Sequence, residues 1–193
     1  MKVLGVGMGR TGTASLARAL RTLGYRTLHW APDYLADVFE KGVEPDLARY
    51  NGWDAVTDIP AALFYREVLA AYPACQFILT VRDEQEWLES IRALYENPNR
   101  FDRLKQFPPQ HRAWLAKISE DLRKFAYGSE KVLPALYLRR YREHIERVQN
   151  VIPAGRLLVM DITRGEGWEK LCPFLGKPFP PEPFPHANAR VRK

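Results

Sequence analysis

Gly7, Gly9 and Gly12 stand at the spacing G-x-G-x-x-G in the stretch VLGVGMGRTGTASLARAL, with Arg10, Thr11 and Thr13 set among them. Glycines so placed let a strand turn sharply into a helix. The first backbone N–H groups of that helix, Ala14 included, are then left unpaired and form a ready site for an anion. Arg10 adds a delocalised positive charge, and the threonines add hydroxyl donors. Each charge-assisted hydrogen bond contributes roughly 1.5–3 kcal/mol where solvent is excluded. Four further residues carry chemistry. Arg82 and Ser90 lie eight apart in LTVRDEQEWLESIRALY, while His29 and Asp58 each close a candidate strand. A histidine of near-neutral pKa suits proton transfer. Asp58 can take a proton itself, orient another base, or cap the helix opened by Pro60.

These residues need elements to position them. The pattern predicts strands over 2–7, 25–30, 54–58, 75–81 and 156–161. CQFILTV is a continuous apolar run rather than an alternating one, which fits a strand buried on both faces. Helices are expected over 12–23, 33–41, 60–72, 83–95, 110–126, 130–151 and 167–176. Leu16, Ala19, Leu20 and Leu23 share one side of the first, and Gly24 stops it. The acids of DEQE open the fourth helix. Residues 45–52 show no pattern, 96–109 are turn-rich and read as a lid or insertion, and 177–193 form a proline-rich, irregular tail. Strands alternating with helices predict an α/β fold with a parallel sheet. In such a sheet ligands gather at the carboxyl ends of the strands, where the glycine loop, His29, Asp58 and Arg82 fall, with Ser90 about two helical turns beyond the fourth.

The chain has 193 residues, enough for one domain with a real core. Its 29 Lys and Arg against 23 Asp and Glu leave a charge of +6, which favours anionic partners or serves solubility. Nucleic acid is not expected, because no basic run is interleaved with aromatics; RRYR at 139–142 alternates with Glu143 and Glu146 and reads as a solvated helix face. Cys75 and Cys172 sit in apolar contexts and read as core residues, without disulfide or metal spacing. No apolar run approaches the roughly 18 residues of a membrane span, and MKVLGVG lacks a signal-peptide core, so a cytoplasmic protein is expected.

Three ligands suit the glycine loop. A dinucleotide-binding domain, as in an NAD-dependent oxidoreductase, wants an acid at the end of the second strand, where this chain has Thr27, Leu28, His29 and Trp30. A nucleoside-triphosphate loop wants a lysine where Thr13 stands and a magnesium-binding hydroxyl where Ala14 stands. The third reading uses more of the residues. GRTGTAS at 9–15 resembles the 5′-phosphosulfate loop of the P-loop sulfotransferase family, and Arg82 with Ser90 resembles its 3′-phosphate motif. VTDIPAALFYREVLAAYP, GRLLVMD, GWEKLCPFLG and PFPHAN extend the likeness, to a bacterial and fungal branch, over almost the whole chain.

The resemblance implies a three-layer P-loop-type fold: a central parallel sheet flanked by helices, a helical insertion around 96–150, and a single domain over 1–193. It implies sulfuryl transfer from 3′-phosphoadenosine 5′-phosphosulfate (PAPS) to a hydroxyl or amine of a small-molecule acceptor. Gly9, Arg10, Thr11, Gly12, Thr13 and Ala14 would hold the 5′ end of the nucleotide, and Arg82 and Ser90 its 3′-phosphate, at a distance from the first anion. Arg10 would neutralise the leaving phosphate where better-known branches carry lysine; arginine keeps its charge but cannot donate the proton near neutral pH. His29 and Asp58 stand equally as the base, and no metal is called for. A member of the fold that binds nucleotide or a protein without turnover stays open. His144, in RRYREHIERV, reads as a surface or packing residue; His186 lies in the tail, and Asp161 ends the last strand. Trp30, Tyr34, Phe39, Phe101, Phe107 and Trp114 would supply an aromatic or lipid-like acceptor pocket, or core. The helices of 110–151 would bury against the same sheet or against a twin subunit in a homodimer.

Overall fold

The structure is a computed structural model and describes residues 1–97 and 108–187. Five short strands, β1 (Val3–Gly5), β2 (Thr27–His29), β3 (Ala55–Thr57), β4 (Gln76–Thr80) and β5 (Leu157–Met160), form one parallel sheet in the order β2-β3-β1-β4-β5. Val3 of β1 registers with Ala55 on one side and Gln76 on the other. The chain leaves β1 for one half of the sheet and returns through β4 to the other. The switch point therefore lies beside β1, where the loops after neighbouring strands diverge and leave a crevice.

Side-chain alternation divides the core into two layers. Val3, Ala55, Ile78 and Met160 meet Leu16 and Leu20 of α1 (Thr13–Thr22) and Leu171 of α7 (Trp168–Leu175). On the other face Leu4, Val56, Phe77 and Leu79 meet Val68 of α3 (Tyr65–Ala71) and Val148 of α6 (Pro134–Val151). The result is a central parallel sheet flanked by helices on both faces.

The expected insertion is smaller than the sequence suggests. Tyr137, Tyr141, His144 and Val148 make a buried stripe along α6, so this helix belongs to the sheet's own layer. Only α5 (Pro109–Tyr127) stands outside it, packing Leu115, Ile118 and Leu122 against Ala36 of α2 (Ala36–Lys41). Both helices thus bury apolar residues within the chain, while Phe125 of α5 remains 55% exposed. The turn-rich segment expected at 96–109 falls mostly outside the described residues.

Other differences are local. The helix expected from Pro60 opens as a 3₁₀ turn over Ala61–Phe64 before α3, and the one expected over 33–41 opens as a 3₁₀ turn over Pro32–Leu35 before α2. Residues 45–52 contain a 3₁₀ turn, Leu47–Tyr50, whose Tyr50 is fully buried against Tyr34. A single buried ring in a polar stretch leaves no periodicity to read. The tail is irregular through residue 187 and folds back on the sheet's helices: Trp168 Nε1 donates to Glu182 O at 2.8 Å, and Ala187 N donates to Ser15 Oγ at 2.9 Å. Among the described residues no helix is long and apolar enough to cross a membrane.

His144 is a packing residue, its Nε2 lying 2.7 Å from Val6 O and its ring edge-on to Tyr65. Burial lowers its pKa against the opposing bond to Val6, and Arg147 lowers it further. A depressed folded pKa means that the unfolded chain binds the proton more tightly. The stabilisation from neutral His144 is therefore complete above the unfolded value of about 6.5 and is lost as pH falls below it. Urea unfolding should show the stability advantage of the wild type over His144→Gln shrinking between about pH 7 and about pH 5.

Candidate active site

All five strands are parallel, so the loops that follow β1, β2, β3 and β4 emerge along one edge. The first is the glycine-rich turn. A Cβ on Gly7 would sit 1.9 Å from Thr80 Oγ1, so only glycine allows the turn to approach β4 this closely. Thr11 is fully buried; its hydroxyl donates to Met8 O at 2.7 Å and lies 2.6 Å from Thr80 Oγ1. With that proton committed to Met8, Thr80 is the donor between the two hydroxyls. Gly12 takes the left-handed conformation, φ 97°, and caps α1, while Arg10 takes φ 75°.

The next wall is α4 (Glu84–Tyr95). Arg10 Nε donates to Ser90 Oγ at 2.9 Å, and Trp87 Nε1 donates to Gly9 O at 3.0 Å. Trp87 stacks on Tyr141 of α6 with centroids 4.2 Å apart. The Tyr141 phenol, pushed up to about 12 chiefly by burial, accepts from Arg82 N at 2.8 Å and donates to Arg82 O at 2.9 Å. It fixes the backbone of Arg82, whose guanidinium pairs with Glu86 at 3.3 Å.

The opposite wall comes from β2 and β3. Thr13 Oγ1 donates to Asp58 Oδ2 at 2.7 Å, and Ile59 N donates to Asp58 Oδ1 at 2.8 Å. Asp58 has φ 75°, and its Oδ1 is 3.5 Å from where a Gly9 Cβ would stand. His29 Nε2 is 3.8 Å from Asp58 Oδ2, and its Nδ1 is 2.9 Å from Thr57 Oγ1. The Thr57 hydroxyl thus orients the imidazole from the Nδ1 side and leaves Nε2 turned toward Asp58. Burial lowers the His29 pKa, with Arg21 adding to that and Asp58 opposing it, which keeps the ring neutral at pH near 7. The edge thus offers a cation and backbone donors on one side and a proton-accepting pair on the other.

Residues 2–192 match the family described as "Sulfotransferase domain". The chain belongs to that family. A relative from Aspergillus versicolor named "Ava biosynthesis cluster protein M" is 31% identical over 211 residues, covering 96% of this chain and 80% of its own.

Within this sulfotransferase domain the structure gathers most of the expected residues and revises several roles. Gly9, Arg10, Gly12, Thr13 and Ala14 lie in the loop and the first turn of α1, with Asp58 and His29 beside them. Thr11 differs from its expected role, since its hydroxyl turns inward and braces the loop on β4. Ser90, expected at a separate anion site, touches the loop arginine directly, because α4 packs alongside the turn. Asp58 caps no helix; its carboxylate serves Thr13 and Ile59. Asp161 accepts from Thr163 N and caps the short turn after β5.

Of the aromatic set, Phe101 and Phe107 lie outside the described residues. Tyr34 and Phe39 are packed among other rings, and Trp114 donates to Glu40. Trp30, next to His29, is 36% exposed. Sequence reading missed Thr80, Trp87 and Tyr141. Trp87 and Tyr141 fit the helical stripes, but nothing in the pattern says that their polar ends reach the loops. Gly7→Ala should lower stability by about 1–3 kcal/mol through overpacking against Thr80, read as a drop in urea midpoint with an unchanged slope.

Proposed function

We propose that this chain transfers a sulfuryl group from PAPS to a hydroxyl or amine of a small-molecule acceptor, using a P-loop-type anion turn. The observation that carries the reading is the 2.9 Å bond from Arg10 to Ser90, which joins the two nucleotide motifs into one site. Arg10, Thr13 and the first N–H groups of α1 would hold the 5′ end. Arg82 and Ser90 would hold the 3′-phosphate. Ser90 accepts from Arg10 and keeps its own hydroxyl proton to donate. The name of the Aspergillus relative, a biosynthesis cluster protein, supports a small molecule as acceptor.

In the transfer, the acceptor oxygen or nitrogen forms a bond to sulfur as the bond from sulfur to the 5′-phosphate oxygen breaks. The acceptor's proton passes to His29 Nε2, and negative charge develops on the leaving phosphate opposite Arg10. Asp58 already accepts two hydrogen bonds and stands 3.8 Å from that nitrogen, so it steadies the imidazolium that forms. A fixed cation serves the weakly basic leaving group without giving up a proton.

Calorimetric titration with 3′-phosphoadenosine 5′-phosphate (PAP) should give binding to the wild type that weakens about tenfold, or about 1.4 kcal/mol, in Arg82→Ala and in Ser90→Ala. A folded wild type that binds no PAP would overturn the reading. Binding without transfer to any acceptor would instead make the chain a silent nucleotide binder. With an acceptor in hand, kcat/KM should rise with pH through the depressed His29 value and then level off. Asp58→Asn removes the charge that raises this pKa and should move the limb to lower pH. Loss of the limb in Asp58→Asn, with it kept in His29→Gln, would transfer the base role to Asp58.

A further inference from the structure

The carboxy-terminal tail takes no part in the scheme above, yet its path leads to the anion turn. Helices α1 and α7 follow parallel strands on one face of the sheet, so both start at its carboxyl edge and finish at its amino edge. The tail leaves α7 at the amino edge, where Lys177 Nζ lies 5.0 Å from the centroid of the Tyr25 ring, just ahead of β2. Residues 177–182 line one cavity with Thr22 and Leu23, at the end of α1. From there the chain climbs back along the two helices to their starts. Trp168 Nε1, in the first turn of α7, donates to Glu182 O, and Phe184 packs edge-on to the same indole with centroids 4.8 Å apart. A Cβ on Gly167 would stand 3.0 Å from Phe184 Cβ, so the ring lies directly on that glycine. Three residues later Ala187 N donates to Ser15 Oγ at 2.9 Å.

Ser15 is the third residue of α1 and is 3% exposed. Leu16 N bonds to Gly12 O at 2.9 Å. The N–H groups of Thr13, Ala14 and Ser15 stand ahead of that bond and are the ones the helix leaves for an anion. The tail therefore grips the side chain of a residue whose own backbone N–H belongs to the anion turn. Other holds on this turn come from loops that follow strands: Thr13 is bonded to Asp58, and Gly12 abuts Ile162 of the turn after β5. Those loops are fixed by the sheet. The tail is irregular, and a segment held by isolated contacts opens at low free-energy cost, so a bound ligand can shift it.

We infer that the tail is a strap on the anion turn, with Ser15 as its positioning residue: docking of residues 182–187 and binding of the nucleotide's 5′ end favour one another. An anion on the three N–H groups orders the first turn of α1 and sets Ser15 Oγ toward Ala187. A docked tail orders the same donors before the anion arrives, which lowers the ordering cost of binding. The inference rests on the sulfotransferase reading for the identity of the nucleotide. By linkage the two effects share one factor, expected at about five- to tenfold.

The test measures amide hydrogen exchange at Ala187 by NMR in the full chain, with and without saturating PAP, beside PAP affinity by calorimetry. PAP should slow exchange at Ala187 about five- to tenfold in the wild type. Ser15→Ala should abolish the protection and weaken PAP by the same factor, within about twofold. Phe184→Ala loosens the strap without touching α1; it should weaken PAP likewise, and it carries the test if Ser15→Ala does not fold. A merely structural Ser15 would give weaker PAP binding in Ser15→Ala while PAP left exchange at Ala187 of the wild type unchanged, and that result overturns the inference. So does wild-type PAP affinity in either variant. A folded wild type that binds no PAP sinks the sulfotransferase reading alone, and sodium sulfate replacing sodium chloride at equal ionic strength then probes the turn. Slower exchange at Ala187 in sulfate, lost in Phe184→Ala, supports the strap; unchanged exchange overturns it.

Discussion

Two threonine hydroxyls 2.6 Å apart, Thr11 in the turn after β1 and Thr80 at the end of β4, hold the site together. Their contact requires a glycine at position 7, because a Cβ there would overlap Thr80. Once the turn is pinned to β4, Arg10 faces the helix that follows β4 and finds Ser90. Trp87 on that helix closes over Gly9, and Tyr141 beneath Trp87 fixes the backbone of Arg82. Each step is short-range, and each depends on the one before. A buried hydroxyl pair contributes little net free energy by itself, yet leaving either unpaired is costly, so the pair selects one geometry for the turn.

The other half of the site is held by charge and backbone shape. Asp58 sits at φ 75°, a conformation that non-glycine residues adopt only when their surroundings compensate. Bonds from Thr13 and Ile59 to its carboxylate supply that compensation. The same carboxylate raises the His29 pKa against the lowering by burial and Arg21. One acidic side chain thus links the first turn of α1 to the end of β2, across the width of the anion turn.

Much of the scaffold was legible from sequence because it rests on repeating patterns. The apolar run of β4 and the stripe of α1 declare themselves, and parallel strands bring their ends to one edge whatever the connecting loops do. The grouping of Arg10, His29, Asp58 and Arg82 follows from that rule. Roles decided by a single contact were not legible. Thr11 looks like any hydroxyl beside glycines until Thr80 is seen against it. Ser90 was read by its distance along the helix, whereas the crossing of α4 over the turn decides what it touches.

The tail has a consequence for how the chain is made. Ala187 N–H reaches Ser15 Oγ in the first turn of α1, across 172 positions of sequence. During synthesis β1 and its glycine turn emerge well before β5 and residue 187. The helix that bears the turn acquires this hydrogen bond only after residue 187 has left the ribosome. A nascent chain shorter than this therefore carries the first turn of α1 without its bond from Ala187, and closure of that contact waits on residues far along the sequence.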